Sequence, residues 1–153
     1  MPAPVRFAHV NLVALDWRRL VEFYVMIFDC QPVPPERHMT GAWLERGTGV
    51  PGARIDGVHL RLPGFGAADG PTLEIFSYQP VGERLPGIAA NRPGFGHVAF
   101  LVEDIAATRD RIVAAGGGSV GEIITRAIPG VGIRSFCYVT DPEGNIIELQ
   151  RAG

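Results

Sequence analysis

The second half of the chain repeats the pattern of its first half. The stretch Phe7–Val10 (FAHV) returns 88 residues later as Phe95–Val98 (FGHV), and the same shift carries Asp16 onto Asp104. A helical pattern follows the aspartate in both copies. Because a single supersecondary repeat cannot bury its apolar face alone, the repetition predicts two similar modules in one protein.

Both copies also end in the same kind of strand. Glu74 is the centre of an L-E-I triplet, and Glu148 is the centre of an I-E-L triplet. Apolar neighbours on both sides place each glutamate in mid-strand, on the face away from the apolar side chains. Each repeat therefore has a histidine near its start, His9 or His97, and a glutamate near its end.

Each copy has the pattern of a strand, a helix and three more strands. In the strand predicted over 6–13, apolar residues alternate with His9 and Asn11. Asp16 and Asp104 are each positioned to cap the helix that follows. The apolar stripes of the two helices are Leu20, Phe23, Tyr24, Ile27 and Phe28, and Ile105, Thr108 and Ile112. Further strands are predicted over 31–37, 53–62, 72–78, 119–126, 133–140 and 146–150.

Glycine and proline separate these elements. Residues 38–52 hold several glycines and are predicted as an extended loop, and residues 141–145 (DPEGN) are predicted as a tight turn before the last strand. The first module is expected over 1–79, a linker over 80–93 and the second module over 94–153, together forming one compact domain. The predicted fold class is α+β, with two βαβββ modules.

Composition excludes several classes of function. The 14 basic residues are all arginine and face 16 acidic ones, so a net charge of −2 argues against nucleic-acid or anionic-membrane partners. The absence of lysine excludes Schiff-base chemistry. The longest apolar stretch, 20–28, is too short to span a membrane. Cys30 and Cys137 are predicted as buried thiols of a cytoplasmic protein, with one disulfide between them as the alternative.

The repeated histidines and glutamates together suggest a metal site. Pairing of the two modules about a pseudo-twofold axis would bring His9, Glu74, His97 and Glu148 together. Two imidazoles and two carboxylates suit a divalent ion such as Ni, Co, Zn, Mn or Fe, and the set contains no sulfur ligand that would favour a softer metal.

These blocks resemble the vicinal oxygen chelate superfamily, which includes glyoxalases, bleomycin-resistance proteins and dioxygenases. The resembling segments are FAHV with Asp16 and Phe23-Tyr24, LEIF at 73–76, GFGHVAF at 94–100 with VEDI at 102–105, and DPEGNIIEL at 141–149. The resemblance implies that the two modules form a curved mixed sheet around a central metal. It implies His9, Glu74, His97 and Glu148 as the ligands, a small-molecule substrate with adjacent oxygen atoms, and a homodimer.

Within the superfamily, the set of four proposed ligands is most similar to the ligand sets of glyoxalase I-like lyases and methylmalonyl-CoA epimerase-like isomerases. Such enzymes remove a proton next to a carbonyl of a chelated substrate, and the metal stabilises the enolate or enediolate that forms. The resemblance therefore implies a metal-dependent lyase or epimerase. Glu148 is expected to be the principal base, and Glu74 is able to act in the same way from the opposite face.

Two other functions stay open at this point. An extradiol ring-cleaving dioxygenase would hold Fe(II) with His9, His97 and Glu148 and would use a further histidine and tyrosine. His59 or His38 could supply that histidine, and Tyr138 or Tyr78 that tyrosine, although the pattern around His59 favours a structural strand residue. A metal-free protein of the bleomycin-resistance type would bind a ligand in the same groove, but retention of all four ligand types argues against it.

Overall fold

The computed structural model describes residues 4–66 and 69–153. The chain divides into two compact units, Met1–Arg84 and Leu85–Gly153. Each unit has its own mixed β-sheet and its own amphipathic helix, which confirms the α+β class and the βαβββ pattern. Among the described residues, no helix is long and apolar enough to cross a membrane.

The first unit has four strands and two helices. They are β1 (His9–Val13), α1 (Trp17–Phe28), β2 (Gln31–Thr40), α2 (Ala42–Thr48), β3 (Arg54–Arg61) and β4 (Thr72–Gln79). The sheet has the order β1-β4-β3-β2. Strand β1 runs parallel to β4, and the other pairs are antiparallel, so the first and last strands of the unit lie side by side.

The second unit repeats this topology with one additional strand. Its elements are β5 (Val98–Leu101), α3 (Ile105–Ala114), β6 (Gly118–Ser119), β7 (Ile124–Ile128), β8 (Gly132–Thr140) and β9 (Ile146–Ala152). The sheet order is β5-β9-β8-β6, and β7 also pairs with β8. As in the first unit, the first strand, β5, lies parallel to the last strand, β9.

Both long helices form as the sequence predicts. The Asp16 carboxylate accepts the Arg19 N–H at 3.1 Å, and the Asp104 carboxylate accepts the Ala107 N–H at 2.9 Å. These bonds satisfy N–H groups that the first helical turn leaves without a partner. The predicted apolar stripes are buried in both helices. In the first unit the stripe covers one sheet face, where the alternate residues Leu60, Leu73 and Ile75 are fully buried.

Two segments differ from the sequence prediction. The expected loop over 38–52 is wrong, because β2 continues to Thr40 and α2 follows it. The helix forms because its buried residue Leu44 packs against Ala53, Ile55 and Phe76. In the second unit, the single strand expected over 119–126 is divided into β6 and β7.

The predicted turn and the buried thiols are confirmed, whereas the first strand begins at His9 rather than at residue 6. In the turn before β9, the buried Asp141 carboxylate accepts the N–H groups of Glu143 and Asn145, at 2.9 and 3.0 Å, and Gly144 has a positive φ of 84°. Cys30 and Cys137 are both buried free thiols. Burial raises the pKa of the Cys30 thiol to about 12, so this group stays protonated and unreactive at neutral pH.

Candidate metal centre

The first unit gathers polar side chains around Glu74. The strand register places Asn11 of β1 on one side of Glu74 and His59 of β3 on the other. The Asn11 amide donates to Glu74 Oε1 at 2.8 Å, and His59 Nε2 lies 2.8 Å from Glu74 Oε2. His9 Nε2 lies 3.6 Å from Glu74 Oε1. Both oxygens of this carboxylate are therefore held by neighbouring strands.

His59 is fixed at both ends of its ring. Its Nδ1 lies 2.8 Å from the Thr72 hydroxyl, and its Nε2 contacts Glu74. Burial lowers the pKa of His59, against the opposing effect of the Glu74 carboxylate. A lowered pKa favours the neutral imidazole, which is the form that ligates metals. The His59 ring meets the His9 ring edge to face, with centroids 5.4 Å apart.

His9, His59 and Glu74 each offer one ligand atom, and these atoms lie within 4.8 Å of one another. In the part of the chain that the structure describes, this is the only group of three such residues. Two nitrogens and one carboxylate oxygen suit a borderline divalent ion, so the donor set fits the predicted class of metal. The side chains of Glu74 and His59 are 13% and 19% exposed, which leaves the group accessible from solvent.

The second unit brings together the other predicted pair. His97 directly precedes β5, and Glu148 lies on the adjacent strand β9. His97 Nε2 lies 2.9 Å from Glu148 Oε2, and the Gln150 amide donates to Glu148 Oε1 at 3.0 Å. Tyr138 of β8 stands opposite Glu148, and its ring centroid lies 5.0 Å from that of His97.

The two clusters correspond position by position but differ in composition. Glu74 faces Asn11 and His59, whereas Glu148 faces Ala99 and Tyr138. Sequence reasoning treated His59 as a structural strand residue and missed its contact with Glu74. A signal was present, because His59 lies between Val58 and Leu60, in the same apolar, polar, apolar pattern that identified the glutamates.

His38 and Tyr78 do not join the Glu74 cluster. His38 Nδ1 lies 2.6 Å from Asp56 Oδ1, and its Nε2 lies 3.3 Å from Glu36 Oε2. Arg18 forms two 2.9 Å hydrogen bonds to Glu36, and Arg54 forms a hydrogen bond to Asp56, which completes a chain of alternating charges.

Tyr78 packs against the apolar cluster around Leu44 and not against Glu74.

The His38 network predicts a pH-dependent contribution to stability. Hydrogen bonds to Asp56 and then Glu36 raise the pKa of His38 above its ordinary value, 6.5. A raised pKa in the folded state stabilises the fold below pH 6.5, and this stabilisation is lost as the pH rises through the raised value. Unfolding in urea at a series of pH values should therefore show the wild type exceeding the His38→Gln variant mainly at low pH. A difference that does not change with pH would contradict this assignment.

Comparisons with known proteins agree with the fold. A family model described as "Glyoxalase/Bleomycin resistance protein/Dioxygenase superfamily" matches residues 6–149. A "Probable lactoylglutathione lyase" of Vibrio cholerae is 44% identical over 68 residues, which are 41% of this chain and 45% of that protein. A second one, from Vibrio parahaemolyticus, is 46% identical over 57 residues, or 36% of this chain and 38% of that protein. The matched region is less than half of either relative.

Solved structures resemble the whole chain at low sequence identity. A glyoxalase family protein from Bacillus cereus gives a TM-score of 0.72 at 19% identity, covering 99% of this chain and 95% of that one. A glyoxylase/bleomycin resistance protein/dioxygenase domain from Frankia gives 0.62 at 20% identity, covering 99% and 100%. At such identities the likeness concerns the fold. The family match over 6–149 shows that the chain belongs to the glyoxalase/bleomycin resistance protein/dioxygenase superfamily.

Proposed function

We propose that this protein is a metal-dependent lyase or isomerase of the glyoxalase type, which removes a proton next to a carbonyl of its substrate. One observation carries the proposal: each unit places a histidine at its first strand in contact with a glutamate on its last strand. A histidine–glutamate pair supplies a metal ligand and a carboxylate base in the same place.

The proposed ligands are His9, Glu74, His97 and Glu148, with the second pair supplied by the same chain or by the partner in a homodimer. The donor set of two nitrogens and two carboxylates suits Ni, Co, Zn, Mn or Fe. A bound divalent ion would act as a Lewis acid that stabilises negative charge developing on a substrate oxygen. A small molecule with adjacent oxygen atoms is the matching substrate class.

The two glutamates differ in the kind of residue that holds them. Glu74 contacts Asn11 and His59, neither of which belongs to the proposed four ligands. Glu148 contacts Gln150 on its own strand and His97, which is itself a proposed ligand. Glu148 would lose its contact with His97 when His97 ligates an ion, and we assign Glu148 as the principal base. Glu74 would keep its contact with Asn11, and we assign it as a ligand and as a second base for the opposite face.

The naming of the Vibrio relatives suggests a first substrate to test. Both are called probable lactoylglutathione lyases, so the adduct of glutathione with a 2-oxoaldehyde is a suitable probe. An epimerase acting on a thioester is the alternative within the same chemistry. The two buried free thiols support action in the reducing cytoplasm.

Solvent-hydrogen exchange tests proton removal for both substrate classes. The metal-loaded protein is incubated in D2O with the glutathione adduct, or with a 2-substituted thioester, and deuterium next to the carbonyl is followed by NMR. We expect exchange with Ni, Co or Mn in air, and expect none from the protein after chelation. Exchange that is equally fast without metal would contradict the proposed mechanism.

A second candidate function is supported by the aromatic neighbours of the two pairs. His59 lies beside His9, and Tyr138 lies beside His97 and Glu148. An extradiol dioxygenase holding Fe(II) with His9, His97 and Glu148 would use such a histidine and tyrosine for proton transfer. Oxygen consumption with a catechol, dependent on Fe(II) or Mn(II) and insensitive to Glu74→Gln, would favour this function over proton exchange.

A further inference from the structure

We propose that the first unit binds a divalent metal ion by itself, through His9, His59 and Glu74. The inference rests on the proposed function, because it concerns the same metal centre, and it adds His59 as a ligand. It also makes the first unit the main holder of the ion. His97 and Glu148 then contribute to chemistry more than to retention of the metal.

The distances within the first cluster are close to those between the ligands of one metal ion. Ligands about 2.1 Å from one ion lie about 3.0 to 3.4 Å from each other in octahedral or tetrahedral geometry. The observed separations are 2.8 Å between His59 Nε2 and Glu74 Oε2, and 3.6 Å between His9 Nε2 and Glu74 Oε1. The two contacts use different oxygens of the Glu74 carboxylate, and one ligand atom from each of the three residues lies within 4.8 Å of the others. Rotation of the side chains would bring these atoms to a single ion.

Thr72 supplies the support that a metal-binding histidine requires. Ligating histidines generally bond through the second ring nitrogen to a polar group, which fixes the ring and its tautomer. Here the Thr72 hydroxyl lies 2.8 Å from His59 Nδ1 and leaves Nε2 directed toward Glu74. Thr72 is also the register partner of His9. The same residue therefore ties the two histidine-bearing strands together.

The second unit has no equivalent group among its described residues. The position that corresponds to His59 is Tyr138, and the position that corresponds to Asn11 is Ala99. His97 and Glu148 are therefore a pair, whereas the first unit offers three ligands and an amide that orients the carboxylate. Three neighbouring ligands bind an ion more tightly than two, which assigns metal retention to the first unit.

Metal binding by full-length variants tests this assignment without an activity assay. Co(II) is titrated by calorimetry into the wild type and into the His97→Ala/Glu148→Gln double variant. We expect one ion per chain in both, with affinity in the double variant lowered by about 10- to 100-fold. Addition of His59→Gln to the double variant should abolish binding, whereas addition of His38→Ala should change nothing.

Comparison of Co(II) binding by the wild type and by the double variant separates failure of this inference from failure of the proposed function. Binding by the wild type with none by the double variant overturns the first-unit site and leaves a four-ligand centre in place. No binding by the wild type overturns both. If a variant does not fold, the number of histidine ligands can be counted directly by NMR of the wild-type Co(II) protein. Paramagnetically shifted ring N–H signals of wild-type Co(II) protein should number three, for His9, His59 and His97, and a count of two overturns the inference.

The substitution His59→Tyr gives the first unit the pattern of the second. It should remove one shifted N–H signal and weaken Co(II) binding, while Thr72→Val should weaken binding by about 10-fold or more through loss of the support to His59 Nδ1. Circular dichroism shows whether each variant is folded. Unchanged affinity in folded His59→Tyr protein would overturn the assignment of His59 as a ligand.

Discussion

Replacement of Glu148 by glutamine should lower the rate of substrate proton exchange by about 10²- to 10⁴-fold, the usual contribution of a general base. The Glu148→Gln variant keeps the size of the side chain and its contact with Gln150, so the strand should be undisturbed. Because we assign most of the metal affinity to the first unit, this variant should still bind about one ion per chain. Loss of rate with retention of metal is the expected signature of a base.

Glu74→Gln is the informative counterpart to this variant. Glu74 is held by Asn11 and His59 and is assigned mainly as a ligand, so its replacement should lower metal content and rate together. Glu122→Gln, at an exposed position of the second unit, is the control and should change neither. Wild-type exchange rates in metal-loaded Glu148→Gln protein would show that Glu148 is not the base.

The largest stability loss is expected from Gly57→Ala. A Cβ added at Gly57 would lie 2.1 Å from the Ile75 carbonyl oxygen and 2.9 Å from the Phe76 Cα, both backbone atoms of β4. Backbone atoms cannot rotate away as a flexible side chain can, so the two strands would have to separate. We expect a loss of about 3 kcal/mol or more in the free energy of unfolding.

Separation of β3 from β4 in Gly57→Ala should also disturb the proposed metal centre. His59 lies two residues beyond Gly57 on the same strand and contacts Glu74 on β4.

Both tryptophans, Trp17 and Trp43, are in the first unit, so their fluorescence during urea unfolding reports on that unit. Gly47→Ala is the matched control, because Gly47 lies in α2 with open space around a new Cβ. It should be neutral or stabilising by up to about 1 kcal/mol. Equal free energies of unfolding for Gly57→Ala and Gly47→Ala would contradict the expected clash at Gly57.

Much of the fold is predictable because its signals are local. An aspartate before an apolar stripe identifies each long helix, and both Asp16 and Asp104 cap as expected. The DPEGN turn is equally local, since the Asp141 side chain bonds within its own segment. By contrast, α2 depends on the burial of Leu44 against β3 and β4, which a pattern of scattered glycines does not show.

The candidate site is only partly predictable for a related reason. The repeat identifies His9, Glu74, His97 and Glu148 because each has a counterpart at a matching position. His59 has no histidine counterpart, and its contact with Glu74 depends on the register between β3 and β4. A shift of one residue would turn His59 to the opposite face, and alternation alone does not set the register.

The metal content of the purified protein shows whether the two histidine–glutamate pairs hold an ion. The protein is dialysed against a mixture of Ni, Co, Mn, Fe and Zn, and bound metal is measured by elemental analysis in the wild type, in His9→Ala and in the control His38→Ala. We expect about one divalent ion per chain in the wild type and the control, and clearly less in His9→Ala. No bound metal under any condition would contradict both enzyme functions and leave a metal-free ligand-binding protein.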